Sequence, residues 1–258
     1  MKKYLLISLI VIGISLPATV FSYNFASGKG LFYTTYPQTN AMGQLTIEFI
    51  SRSYVKMDPE IRHSTAAIDM HFGFSDHFDF GVQQIVYQDI ERNPRDNRMI
   101  PGVTIFNVKL GNYSIKSGNS AWFYGINTLV QYRTGQYYNL YLEPYINYGI
   151  TGELDLLLAY VFKPFYIYES PALHLNIGYK NHNDKGKGIF DATQTLQFAF
   201  AYVKPTMKWE YSAEVHGQYF IKRPGPRFFS REHYLYVTPG IKYRIFMGLA
   251  VGVGIDVL

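Results

Sequence analysis

The stretch TMKWEYSAEVHGQYF, Thr206 to Phe220, alternates for its whole length. Met207, Trp209, Tyr211, Ala213, Val215, Gly217 and Tyr219 share one face of an extended strand. Lys208, Glu210, Ser212, Glu214, His216 and Gln218 share the other. Successive side chains of a strand point to opposite faces, so one face suits an apolar medium and the other a polar one. The same pattern recurs along the chain. Leu45, Ile47 and Phe49 oppose Thr46, Glu48 and Arg52, and Ile68, Met70, Phe72 and Phe74 oppose Asp69, His71 and Gly73. Phe78, Phe80 and Val82 oppose Asp79 and Gln83; in the segment Gly102 to Gly111, Phe106, Val108 and Leu110 oppose Asn107 and Lys109; and Ala121 to Gln131 is a less regular strand. Leu154, Leu156, Leu158, Tyr160 and Phe162 alternate with Glu153, Asp155 and small or apolar residues. Leu173, Leu175, Ile177 and Tyr179 oppose His174, Asn176 and Lys180. Leu196, Phe198, Phe200 and Tyr202 follow, and Leu235, Val237, Ile241, Tyr243 and Ile245 oppose Thr238, Lys242 and Arg244. In the last segment, odd-numbered residues from Met247 to Val257 oppose Gly248, Ala250, Gly252, Gly254 and Asp256.

These segments run to ~9–12 residues, longer than the ~5–6 of an ordinary strand and matched to a tilted strand crossing hydrocarbon. Aromatics stand near their ends, as interfacial girdles require: Tyr54, Phe74 with Phe78, Tyr160 with Phe162, Tyr179, Tyr202 and Tyr219. The mature chain shows no long amphipathic helix. The expected fold is therefore all-β, a closed antiparallel transmembrane β-barrel of about 12 strands, within a range of about 10–12. Closure follows because an open sheet edge in hydrocarbon leaves backbone groups unpaired. The competing fold is a secreted β-sandwich, whose core does not accommodate strand after strand this long and this aromatic.

The N-terminus, MKKYLLISLIVIGISLPATVFS, has a basic start at Lys2 and Lys3, an apolar run from Leu5 to Leu16, Pro17, and a small-residue end. This pattern predicts a secretory signal peptide over 1–22. A leader or plug segment over 23–43 and a barrel over 44–258 complete the expected organisation. Past the signal there is no apolar run of the ~20 residues that a helix needs to span a bilayer. The mean hydropathy of -0.07 is too polar for a helical membrane protein. Charged residues make up 17%, below the ~25% of an average soluble domain. The chain has no cysteine, which excludes disulfides and Cys-ligated metals and suits export through an oxidising compartment. Its formal charge of +5 is too weak an excess to argue for nucleic acid. The expected location is the outer membrane of a Gram-negative-type bacterium. Its lipids, its lipopolysaccharide and the barrel-assembly machinery are then the expected partners.

Turn chemistry sets the sidedness. Tight turns are expected at 75–77, 163–171 and 204–205, on the periplasmic side. Longer polar loops at 55–63, 88–101, 182–191 and 222–231 then face outward. That parity needs 133–150 to be mostly an external loop, and the count reaches eleven at Leu258. Bacterial single-chain barrels use an even number. Either the chain stops before its last strand, or Leu140–Tyr148 adds one. Asp256-Val257-Leu258 carries no terminal aromatic, which favours the first option.

With its signal, its aromatic-ended strands and its lack of cysteine, the whole chain resembles the bacterial outer-membrane β-barrel class. More narrowly, ALHLNIGYKNHND (Ala172 to Asp184) with GFSDHFDFGV (Gly73 to Val82) resembles a group of porin-like barrels labelled as phenol-degradation meta-pathway or aromatic-compound transport proteins. The resemblance implies a barrel and passage of small solutes, and it carries no binding residues over.

Catalytic patterns are absent from the sequence. Phospholipase- and deacylase-type barrels use a His-x-Ser element, and no histidine here stands two before a serine. A protease-type rim would need paired acids and a histidine, of which His182, Asp184 and Asp191 are a faint echo. His174 and His216 read as lumen side chains, with no third ligand to make a metal site. No cofactor is expected, and the chain is read as a non-enzyme, a surface hydrolase being the weakest alternative. The expected lumen-lining residues are Glu48, Asp69, His71, Asp79, Lys109, Asp155, His174, Asn176, Lys180, Lys208, Glu210, Glu214, His216, Lys242 and Arg244. Either these charges line a water-filled pore for small solutes, or they pair with one another in a closed structural anchor. The inward Gly248, Ala250, Gly252 and Gly254 favour the pore, because they leave open space. Ser27 to Gly43 is either an inward plug or a flexible leader. Lys222, Arg223, Arg227 and Arg231 are either a lipopolysaccharide contact or an ordinary solvated loop.

Overall fold

The computed structural model describes residues 23–24, 28–55, 62–88, 103–133, 150–163, 170–182, 194–222, 233–246 and 249–255. The expected signal peptide lies outside them, as does the candidate strand Leu140–Tyr148. Among the described residues every regular element is a strand. β1 (Tyr23–Asn24) and β2 (Gly28–Lys29) form a two-stranded ribbon. The main sheet contains β3 (Leu45–Val55), β4 (Arg62–Ser75), β5 (Phe78–Gln88), β6 (Val103–Ser117), β7 (Ser120–Arg133) and β8 (Thr151–Phe162). It continues through β9 (Ala172–Asn181), β10 (Gln194–Pro205), β11 (Trp209–Lys222), β12 (His233–Phe246) and β13 (Leu249–Gly254).

These eleven strands pair strictly in sequence order, every pair antiparallel. An up-and-down meander is what short connections between antiparallel strands permit. One end of the sheet carries the turns at Asp76-His77, Gly118-Asn119 and 206–208. Gly118, at φ 58°, supplies the left-handed residue for the two-residue hairpin. Two boundaries differ from the sequence expectation. β6 does not end at Gly111 but runs on to Ser117, past an irregularity between Leu110 and Tyr113. β10 includes Lys204-Pro205, and its turn follows at 206–208. Proline is tolerated at the last position of a strand, where its missing N–H breaks little of the ladder.

Among the described residues the strand count of the main sheet is eleven, inside the expected range of about 10–12. Being odd, it makes the edge strands β3 and β13 run in the same direction. Among the described residues no backbone ladder joins them. The sheet is nonetheless strongly curled. Glu48 on β3 lies within electrostatic reach of Lys242 on β12. A single short segment, 30–44, touches strands from β4 to β13, and its side of the sheet is here called the inner face.

The distribution of side chains is inverted relative to a water-soluble protein. Phe49 is 79% exposed, and the outward rows of β4 to β13 expose Phe74, Ile115, Leu156, Ile177, Leu235 and Val253. Lys109, Asp79 and Glu214 on the inner face are 0% exposed. Outward aromatics cluster at the turn end: Phe72, Phe74 and Phe78; Tyr113 and Tyr124; Trp122, Tyr160 and Phe162; Trp209 and Tyr243. Outward Tyr132, Tyr179 and Tyr219 stand toward the opposite end.

Candidate functional site

The site is the inner face together with residues 28–44, which lie against it. The local fold of that segment begins with a tight reversal. Leu31 N–H donates to the Thr34 carbonyl at 2.7 Å and Tyr36 N–H to the Lys29 carbonyl at 2.8 Å. The reversal aims three consecutive backbone N–H groups the same way, and such a concavity binds anions. Glu214 of β11 fills it. Its carboxylate accepts from Phe32 N–H at 2.9 Å, Tyr33 N–H at 3.0 Å and Thr34 N–H at 2.8 Å. Hydrogen bonds to an ionised acceptor are roughly twice as strong as neutral ones.

Aromatic stacking reinforces this grip. The Tyr33 ring stacks on His216, with centroids 3.5 Å apart, and Tyr236 stacks on His216 in turn at 5.5 Å. Tyr36 stacks on His174 of β9 at 4.1 Å. Leu31 and Tyr36 pack with Ala201 and Val203 of β10 in a small buried cluster. The Phe32 ring occupies the space where Gly240 of β12 and Gly254 of β13 have no side chain.

The other end of the segment is tied to β4, β5 and β6. Asn40 N–H donates to Asp79 at 3.0 Å, and Asn112 N–H donates to the Pro37 carbonyl at 2.7 Å. Thr39 donates its hydroxyl to the Asp76 carbonyl. Residues 41–44 make a turn closed by Gln44 N–H on the Ala41 carbonyl, with Gly43 at φ 78°. A positive φ at the third turn position is what a type II turn requires and glycine supplies. The segment then enters β3. Lys29 donates to the Thr39 carbonyl, so the two ends of the segment are also bound to each other. Burial pushes Lys29 down to about 7, helped by the nearby Lys109 ammonium and opposed by Asp79. Burial, with the Glu210 and Glu214 carboxylates, pushes the Tyr36 hydroxyl well up.

The wall itself is laced with ion pairs and hydrogen bonds. Arg244 contacts Glu210 at 3.2 Å and the Thr206 carbonyl at 3.4 Å. Lys109 lies 3.8 Å from Asp79, Lys180 3.4 Å from Glu153, and His71 3.1 Å from Asp69. Asn107 donates to Asn127, which donates to Asp155 at 3.1 Å, so one chain of amides and a carboxylate crosses β6, β7 and β8. Glu48, Asp69, Lys242 and Glu210 form a further electrostatic group around the two ends of the sheet.

Of the residues singled out in the sequence, Asp69, His71, Asp79, Lys109, Asp155, His174, Asn176, Lys180, Glu210, Glu214 and His216 are buried on the inner face. Glu48, Lys242 and Arg244 are half-buried there. Lys208 is not on that face: it is exposed in the turn before β11, where only its carbonyl is engaged, by Arg244 N–H. Lys222 is half-buried at the end of β11, and Arg223, Arg227 and Arg231 lie outside the described residues. Asp184 and Asp191 lie outside them too, while His182 is buried beside Thr195 at 3.2 Å. Sequence reasoning missed Asn127, although its polar position opposite Ile126 and Thr128 on β7 was a usable signal. It also missed the amides of 32–34, which have no side-chain signature at all. Among the described residues, no group of three or more His, Asp or Glu gathers to hold a metal ion.

Comparison with protein families, with characterised proteins and with solved structures finds no match to this chain. The class that can be stated is structural: an all-β chain built on one eleven-stranded antiparallel meander.

Proposed function

We propose that this chain is an outer-membrane β-barrel that passes small solutes. One observation carries the reading: large apolar side chains cover the exposed face while charged ones are buried. Monomeric soluble proteins rarely expose contiguous apolar patches beyond a few hundred Å². Here the patch is an entire sheet face, bounded by aromatics at both ends, and hydrocarbon is the solvent that suits it. Along β7, ten residues separate Tyr132 from Trp122. At ~3.3 Å per residue and a tilt of ~40°, this spans about 25 Å, the height of an outer-membrane apolar band.

Closure belongs to the same proposal. In the closed barrel we propose, the described edges β3 and β13 would meet as a parallel seam, with Glu48 of β3 and Lys242 of β12 within electrostatic reach across it. Hydrocarbon leaves no alternative for unpaired edge groups. The resemblance to porin-like transport barrels points the same way, toward small solutes. The filled inner face favours a second reading, a closed structural anchor.

Fractionation tests the location. The protein should sediment with outer membranes and run faster on gels when unboiled, because a closed ladder resists detergent. Recovery as a soluble periplasmic protein rejects the barrel.

A further inference from the structure

We propose that residues 28–44 are a displaceable plug, and that the grip of the Phe32, Tyr33 and Thr34 amides on Glu214 is the latch holding it. The inference rests on the barrel reading above and adds how its passage is shut.

The two ends of the segment are held differently. Near Gln44 the segment continues covalently into β3. There the Ala41 and Pro37 carbonyls sit against Gly73 and Gly111, where a methyl group would overlap them. Gly43 N–H donates to the Gly73 carbonyl at 2.8 Å. This end is anchored. The far end, 31–36, reaches across to β9–β13 through two ring stacks, the Phe32 ring against Gly240 and Gly254, one small apolar cluster and Glu214. Among the described residues, the Glu214 carboxylate accepts from Phe32, Tyr33 and Thr34, all of the segment. The neighbouring acid differs, since Glu210 is matched by Arg244 within the wall. Glu214 therefore serves the segment and not the wall.

The latch has two self-consistent states. Docked, the carboxylate is dry and holds three donors. Released, both the amides and the carboxylate regain water, so neither is left buried and unpaired. Residues 37–44 stay tied to β4, β5 and β6 while 31–36 leave the wall. Loss of the charge weakens the three hydrogen bonds to residue 214 and leaves the ring stacks, the Phe32 contact and the apolar cluster.

The test is conductance of the refolded chain from Tyr23 in planar bilayers, with unboiled gel mobility checking that each variant is folded. The native chain has no cysteine, so an introduced pair is unique. Glu214→Gln should raise the open fraction by about tenfold or more, the worth of a charge-assisted contact. Deletion of 28–41 should conduct without closing. Leu31→Cys with Val203→Cys, placed in the Glu214→Gln background, should fall silent on oxidation and recover on reduction. Equal conductance of wild type and deletion would overturn the plug and leave transport standing. A conducting deletion with Glu214→Gln unchanged from wild type would overturn the latch alone. Silence in every folded variant, the deletion included, would reject the transport reading beneath both.

Discussion

An arginine placed on β10 separates the two faces of the sheet energetically. The outward residues of this strand are Leu196, Phe198, Phe200 and Tyr202. Leu196 pairs laterally with Tyr179 and Tyr219, which in the proposed barrel would mark one interface, with Tyr202 marking the other. Phe198 is one residue from the midpoint of that row, ~3 Å along the strand. Phe198→Arg thus puts a guanidinium close to the bilayer midplane, and it should cost ~2–4 kcal/mol. Gln197→Arg is the matched control, one residue away on the inner face. Its paired neighbours are Gly178 and Gln218, and the Asp155 carboxylate lies over Gly178. An arginine at 197 finds a counter-charge there, so its cost should stay below about 1 kcal/mol, the range of a screened or paired charge. Both values are read from urea titration of folding into lipid vesicles, followed by tryptophan fluorescence. Equal costs at 197 and 198, or a larger one at 197, would refute the assignment of lipid to the outward face.

Two other perturbations probe the inner face. Glu210→Gln takes the carboxylate from Arg244, which keeps the Thr206 carbonyl. The same titration should show a loss of about 3 kcal/mol, the low end for stranding one member of a buried pair. A loss well under 1 kcal/mol would mean that water screens this part of the interior. Lys29→Met tests the pH dependence of docking. With Lys29 held at about 7, the docked segment binds fewer protons than the released one between pH 7 and the ordinary lysine value of 10.5. Docking should therefore be weakest below pH 7 and strengthen as pH rises through that window, by at most about tenfold per pH unit for one proton. Open fraction in bilayers should fall with rising pH in the wild type and lose most of that slope in Lys29→Met, and identical slopes would place the titrating group elsewhere.

Much of the sheet was legible because its two faces differ so sharply, one exposing large apolar side chains and the other burying charged ones. Alternation then specifies register, since a slip of one residue would exchange every side chain between faces. Strand ends were less legible, because the residues that usually mark them have other tasks here. Gly111 sits within β6, where the Pro37 carbonyl comes too close for any side chain. The β6–β7 turn falls instead at Gly118-Asn119. Lys208 fits the inward phase of the alternation but precedes the first residue of β11, so the phase does not govern it.

Inner-face glycines taught the opposite of their usual meaning. Small residues facing inward suggest empty space, and that was the ground for expecting an open pore beside β13. Yet at several inner-face glycines, Gly254 of β13 among them, something already occupies the room, whereas Gly252 meets only ordinary contacts. His71 lies where a Gly81 side chain would go, and the Asp155 carboxylate lies over Gly178. Phe32 fills the place beside Gly240 and Gly254, and backbone carbonyls of the N-terminal segment fill those at Gly73 and Gly111. Three of these partners are far away in sequence and two are backbone atoms, so no local pattern announces them. The same holds for Glu214: its charge marked it as an interior residue, but its partners are amides about 180 residues away. A missing side chain on the wall and a segment shaped to its absence are two halves of one contact. Gly240 of β12 and Gly254 of β13 therefore form a socket for Phe32, and replacing Gly254 would press on the N-terminal segment before it changed anything else on this face.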